Sequence, residues 1–221
     1  MSGGRQIALL RGINVGRAKR ISMADLRALV ETLGYRDVST LLNSGNVVFT
    51  AKSVAAGGAA TRIEKALATR LGISARVTVL TAAELASIVA ENPLLGIATD
   101  PSRLLVAVLF SSSDRARLKP LLAQDWSPDA LAVGERVAYI WCPPGMLQSP
   151  AAEAVGRALG DAVTTRNWAT ILKLHATCSP ESGSGKHVAQ PTSAARLSRI
   201  VSRRARASVE RPVGSKTTRR K

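Results

Sequence analysis

Along the first 80 residues, apolar positions recur with period two and then with helical spacing, in alternation. Gln6 to Leu10 is a short β-type run, followed by a loop from Arg11 to Arg20. Ser22 then predicts a helix start, with Asp25 three residues on, where a carboxylate favours the helix N-terminus. Met23, Leu26, Leu29, Val30 and Leu33 line one face of that helix, and Gly34 is a natural stop. Two further β runs, Val38 to Leu42 and Val47 to Thr50, flank Asn43-Ser44-Gly45-Asn46 and predict a hairpin. A second amphipathic helix is predicted from Thr61 to Leu71, closed by Gly72, and a strand from Val77 to Leu80. The order β-α-β-β-α-β predicts a split-βαβ, ferredoxin-like unit ending near residue 80.

Thr81 with Glu84 predicts a capping box and a helix to about Ala90, which Asn92-Pro93 ends. A strand from Leu104 to Phe110, a helix from Asp114 to Leu122, and strands Ala130 to Val133 and Val137 to Trp141 follow, the last pair turning at Gly134-Glu135-Arg136. Pro143-Pro144-Gly145 is a rigid break, and helices are predicted around Pro150 to Leu159 and Trp168 to Ala176. This is a second βαββα unit, compatible with diverged duplication although no residue-level repeat is visible. The expected fold class is α+β: two ferredoxin-like (split βαβ) or βαββα halves, 1–80 and 81–178, with a disordered basic C-terminal tail, 179–221.

Charge sharpens the division at Ser179. The chain carries a formal net charge of +16. Residues 179–221 hold eleven Lys or Arg against two acids, while the preceding residues hold twenty bases against thirteen acids. The tail opens with linker composition, Ser-Pro-Glu-Ser-Gly-Ser-Gly-Lys, and contains no Trp, Tyr or Phe. Such a segment buries too little apolar surface to offset its ordering entropy. A helix around Ala194 to Ala205 is expected only on a partner.

Other classes are excluded by smaller observations. The longest apolar run, Leu104 to Phe110, is far short of the roughly 18 to 20 residues that cross a bilayer. Ile7 to Leu10 is too short for a signal peptide's apolar stretch, so a cytoplasmic protein without membrane association is expected. Cys142 and Cys178 read as two buried thiols rather than a disulfide. His175 and His187 fit no metal-ligand spacing, so neither a metal, a cofactor nor a histidine triad is expected.

Three segments carry a family resemblance: Leu9-Leu10-Arg11-Gly12-Ile13-Asn14-Val15-Gly16, then Ser44-Gly45-Asn46-Val47-Val48-Phe49, and Thr165-Arg166-Asn167-Trp168 with Lys173-Leu174. With Met23-Ala24-Asp25-Leu26-Arg27 between the first two, they resemble the bacterial domain of unknown function 1697 (DUF1697) family over about residues 5 to 178. The resemblance implies a two-part α+β fold in a group without an established activity. It supplies no catalytic residues and does not reach the tail.

Candidate chemistry gathers at the Arg11–Arg20 loop. Gly12 and Gly16 let backbone N–H groups approach an anion, and Arg11, Arg17, Lys19 and Arg20 supply positive charge. The loop is neither a Walker A sequence nor Gly-x-Gly-x-x-Gly, so it reads either as an anion contact or as a connection with solvated bases. In a split-βαβ unit the first two strands run parallel, two positions apart, so the loops that follow them share an edge. That expectation groups Arg11, Gly12, Asn14, Gly16 and Lys19 with Asn43, Ser44 and Asn46. Arg166 and Asn167 read either as cleft residues facing this edge or, for Asn167, as the N-cap of the last helix, with Trp168 as a core anchor. Neither N-terminal segment contains Asp, Glu or His, so proton transfer would need a residue from elsewhere.

Trp126 and Trp141 are expected in the core or at an interface. Phe49 is the only aromatic on the central strands of the first unit, which excludes an RNA-recognition surface built on stacking. Three function classes stay open. One is nucleic-acid or other polyanion binding through the tail. Another is a small-molecule site, binding or catalytic, for a phosphorylated or carboxylated metabolite at the Arg11–Asn46 edge. The third is a protein-interaction scaffold using exposed sheet edges. Oligomeric state is not set by the sequence.

Overall fold

Strands and helices alternate through residues 4–14, 20–52 and 56–178, which the computed structural model describes. Gly16, Lys19 and the whole of the expected tail lie outside the described residues. Strands β1 (Gly4–Leu10), β2 (Arg36–Leu41), β3 (Asn46–Ala51) and β4 (Val77–Thr81) form an antiparallel sheet in the order β2-β3-β1-β4. Helices α1 (Met23–Thr32) and α2 (Ala56–Leu71) make its connections, and α3 (Ala82–Ala90) follows β4.

The second sheet repeats that order. It runs β6 (Ala130–Val133), β7 (Val137–Trp141), β5 (Leu104–Leu109), β8 (Val163–Asn167), again antiparallel. A 3₁₀ helix (Ser112–Ala123) and α4 (Pro150–Leu159) occupy the places of α1 and α2, and α5 (Trp168–Cys178) follows β8 as α3 follows β4. The repeat extends to single hydrogen bonds. Leu10 N donates to Gly45 O at 2.9 Å, and Leu109 N to Arg136 O at 2.9 Å. Arg11 N donates to Arg76 O at 2.8 Å, and Phe110 N to Ala162 O at 3.0 Å. Leu10 and Leu109 therefore hold equivalent places in two halves of one backbone plan.

Burial on both faces explains why β1 and β5 read as unbroken apolar runs rather than alternating ones. In β1, Ala8 and Leu10 pack with Leu26, Val30, Ile63 and Leu67 in an outer core beneath α1 and α2. Ile7 and Leu9 face the opposite way, into a central core with Leu85 and Ile88 of α3 and Trp168, Ile171 and Leu174 of α5. From the second sheet, Leu104, Val106, Val108, Tyr139 and Trp141 enter the same central core. Leu105, Ala107 and Leu109 face a third core with Leu118, Ile140 and Val155. Each fully buried side chain of this size contributes about 1.5–3 kcal/mol. Arg5 ties α5 to β1 by donating to Thr177 O at 2.7 Å.

The start signals act as their chemistry predicts. Ser22 Oγ accepts from Asp25 N at 3.0 Å at the head of α1. Thr81 and Glu84 form the capping box of α3. Three elements differ from expectation. The pattern predicts no element at β8, where Val163 is the only apolar residue; it is a strand because it completes the second sheet beside β5. The helix expected from Asp114 is 3₁₀ and begins at Ser112, with Pro120 inside it removing an α-type donor. Helix α2 begins five residues earlier than its apolar stripe suggests, through a run of Ala and Gly that carries no periodicity.

Glu84 also joins the halves. Its carboxylate accepts from Thr81 N at 2.8 Å and pairs with Arg136 in the β6–β7 turn. Burial acts to raise this carboxyl, but the bonds from Thr81 and Arg136, and the arginine's charge, hold it below the usual carboxylate range. A carboxyl lowered by folding stabilises the native state above its unfolded value, and that contribution is lost as pH falls through the lower folded value. Glu84→Gln is therefore expected to be less stable than wild type at neutral pH by about 1–2 kcal/mol. In urea titrations the gap should close between about pH 5 and pH 3; a gap independent of pH contradicts the assignment.

Candidate functional site

In the first sheet β1 and β2 are each antiparallel to β3, which lies between them, so they run parallel and their C-terminal loops leave at one edge. Asn14 closes the loop that follows β1. At φ 56 its side chain donates to Asn43 O at 2.9 Å and to Ile21 O at 3.0 Å, and accepts from Ile21 N at 2.9 Å. Gly45, at φ 71, lets the hairpin turn lie against that loop. A methyl at this position would sit 2.5 Å from Ile13 Cδ1 and 2.9 Å from Leu10 Cβ. Gly12 also has a positive φ, 64, but open space around it.

Asn46 is fully buried beneath this junction. Its amide donates to Leu41 O and Ser44 Oγ, both at 2.9 Å, and its carbonyl oxygen accepts from Arg166 Nε at 2.6 Å. Arg166 comes from β8 in the other half. Its Nη1 donates to Thr165 O at 2.8 Å and Thr164 Oγ1 at 3.1 Å, and its Nη2 to Leu10 O at 2.8 Å and Ser44 O at 3.0 Å. All three motif segments thus meet at one guanidinium, whose five N–H donors reach five neutral oxygens. Burial pushes Arg166 down to about 10, which leaves it charged at neutral pH. Among the described residues no carboxylate pairs with it.

Arg11 lies beside it. Its Nη1 donates to Val163 O at 2.6 Å, and its Nη2 is 3.2 Å from Asp161, a carboxylate 85% exposed. Asn167 Oδ1 accepts from Thr170 N at 3.0 Å and Thr170 Oγ1 at 2.7 Å, so it caps α5, and Trp168 anchors the central core. Trp141 enters that core too, while Trp126 packs at the third and donates to Leu121 O at 2.8 Å. Cys142 and Cys178 are separate buried thiols.

An open cleft of about 620 Å³ borders the junction, bounded by Arg11, Gly12, Ser44, Arg166 and Asn167 with Ser102, Leu105, Met146, Thr164 and Thr165. None of the described residues lining it is Asp, Glu or His. Asn14 and Asn43 instead line a separate hollow at the head of α1, with Arg20 and Ser22. Asn46 lies below the surface and touches neither hollow. The edge expected from topology therefore exists, but the side chains of Asn14 and Asn46 hold the backbone together, and the cleft is furnished by Arg11, Arg166 and the hydroxyls of β8. Reading the motifs missed Thr164, Thr165, Leu105 and Met146. The β-branched run Val163-Thr164-Thr165 was the signal that could have revealed β8.

The structure is similar to that of a conserved bacterial protein from Streptococcus pneumoniae, with a TM-score of 0.67 and 20% identity, covering 80% of this chain and 99% of that one. At this identity the likeness shows the fold alone. No curated protein matches the chain. Residues 4–139, more than half of the chain, match the family described as "Protein of unknown function (DUF1697)", and the chain belongs to that family.

Proposed function

We propose that the chain binds a small anionic ligand, a phosphorylated or carboxylated metabolite, in the cleft beside Arg11 and Arg166. One observation carries this reading: the cleft is lined by two guanidinium groups and, among its described residues, by no carboxylate. Arg166 is fully engaged as a clamp, so it contributes charge and rigidity rather than a free donor. Arg11 is the gripping residue. Its pairing with an exposed Asp161 is weak enough to yield to a ligand oxygen. Ser44, Ser102, Thr164 and Thr165 add hydroxyls, and the lining offers no general acid or base, which favours binding over proton-transfer chemistry.

In this reading two ferredoxin-like halves, 1–80 and 81–178, form the cleft, and the shared strand order of the two sheets supports that division. A cytoplasmic location is supported by two thiols that stay unpaired. The basic segment 179–221 favours a separate contact with nucleic acid or another polyanion, on its excess of nine positive charges.

Calorimetric titration of the full chain with inorganic phosphate, in about 0.15 M salt to screen the tail, tests the cleft. Arg11→Gln is expected to weaken binding about tenfold, the worth of one charge-assisted contact. Equal binding by wild type and variant assigns the phosphate to another part of the chain and ends this reading.

A further inference from the structure

The anion cleft has a second, apolar end. Arg11 is fastened at Val163 O, at the start of β8. Leu105 pairs with Asn167, four residues further along that strand, and shares the cleft wall with Met146. Four residues of extended chain put about 13 Å between the two ends. Leu105 is buried, but Met146 is 52% exposed, and its neighbour Leu147 is 94% exposed. Both sit on the short 3₁₀ turn Met146–Gln148, behind the rigid Pro143-Pro144-Gly145 break, so their exposure is imposed by the backbone. Met146, unlike Leu147, lines the cleft, so a half-exposed apolar side chain is presented to whatever fills it. Methionine, unbranched and polarizable, moulds itself to apolar groups of varied shape.

We infer that the ligand of this cleft is amphipathic: an anionic group held at Arg11, joined to an apolar arm that runs along β8 and lies against Leu105 and Met146. The inference rests on the anion-binding reading above and adds the class of molecule. Arg11 fixes the orientation: it is fastened at Val163 and is the guanidinium left to grip, because the N–H groups of Arg166 are all taken by protein oxygens. The hydroxyls of Ser102 and Thr170 border the arm without supplying charge.

The test uses the full chain and three probes, inorganic phosphate, butyl phosphate and hexyl phosphate, below the concentrations at which they aggregate. Burial of an alkyl arm is expected to tighten binding up to about fourfold per methylene, so hexyl phosphate should bind at least tenfold more tightly than phosphate itself. Met146→Gln, at an exposed position of the lining, should cut the ratio of hexyl phosphate to phosphate affinity severalfold, whereas Leu147→Gln, outside the lining, should leave it unchanged. If phosphate binds through Arg11 but alkyl chains add nothing, the amphipathic ligand is wrong and the anion site stands. If the chain-length gain survives Met146→Gln, the arm lies elsewhere and the inference falls. If none of the probes binds, the anion reading fails and this inference with it.

Discussion

Arg166→Met should lower the unfolding free energy by about 3 kcal/mol in urea denaturation. Methionine fills much of the volume of the arginine stem but donates nothing. The loss strands Asn46 Oδ1, Leu10 O, Ser44 O and Thr165 O together. Asn46 is fully buried, and among the described residues no other donor reaches that oxygen, so the penalty there is undiluted by solvent. Arg166→Lys separates charge from geometry. A lysine keeps the positive charge, but its three donors radiate from one point and cannot reach oxygens on Leu10, Ser44 and Asn46 at once. It should recover less than half of the loss. A methionine variant within about 0.5 kcal/mol of wild type would mean that the clamp is not formed in solution.

Gly45→Ala should cost a similar amount, about 3 kcal/mol, for a different reason. About 1–2 kcal/mol comes from placing an L residue at a φ of 71. The rest is overlap, since the new methyl would lie 2.5 Å from Ile13 Cδ1 and 2.8 Å from Ile13 Cγ1. Gly12→Ala has the same backbone penalty at φ 64 but meets nothing within 4 Å, so it should cost only the first part. Ile13→Val separates the two contributions in turn. In wild type it removes a buried methyl group and costs about 1 kcal/mol. In the Gly45→Ala background it removes the closest clash and should stabilise. A penalty equal in both backgrounds would show that Gly45 and Ile13 do not touch.

These two residues mark what pattern can reveal and what it cannot. The hairpin around Gly45, the capping box at Thr81 and the helix head at Ser22 are local chemistry, written within four residues, and each lies where the pattern places it. The shared edge of the first two loops was legible because strand order alone dictates it. Arg166 was legible only as a suspicious side chain. Two of its acceptors are backbone oxygens more than 120 residues away, and nothing in a sequence pattern names a carbonyl as a partner. Strand β8 escaped because two of its three central positions are threonine, which satisfies a strand without the apolar signature of one. The repeat of the two halves escaped because equivalent places hold unlike residues: Arg11 matches Phe110, and Gly45 matches Arg136.

Two arginines of the second half differ in a way that bears on function. Arg166 of β8 meets only neutral oxygens, whereas Arg136 of the β6–β7 turn pairs with the carboxylate of Glu84. Among the described residues Arg166 thus keeps a positive charge with no carboxylate partner, and the cleft opens beside it.

Anion binding at the cleft is tested by an amide chemical-shift map of the ¹⁵N-labelled full chain titrated with inorganic phosphate. The largest shifts should fall on Arg11, Gly12, Ser44 and Thr164 to Asn167, and should saturate together. Shifts confined to residues 179–221, or absent from the cleft at saturating phosphate, would contradict it.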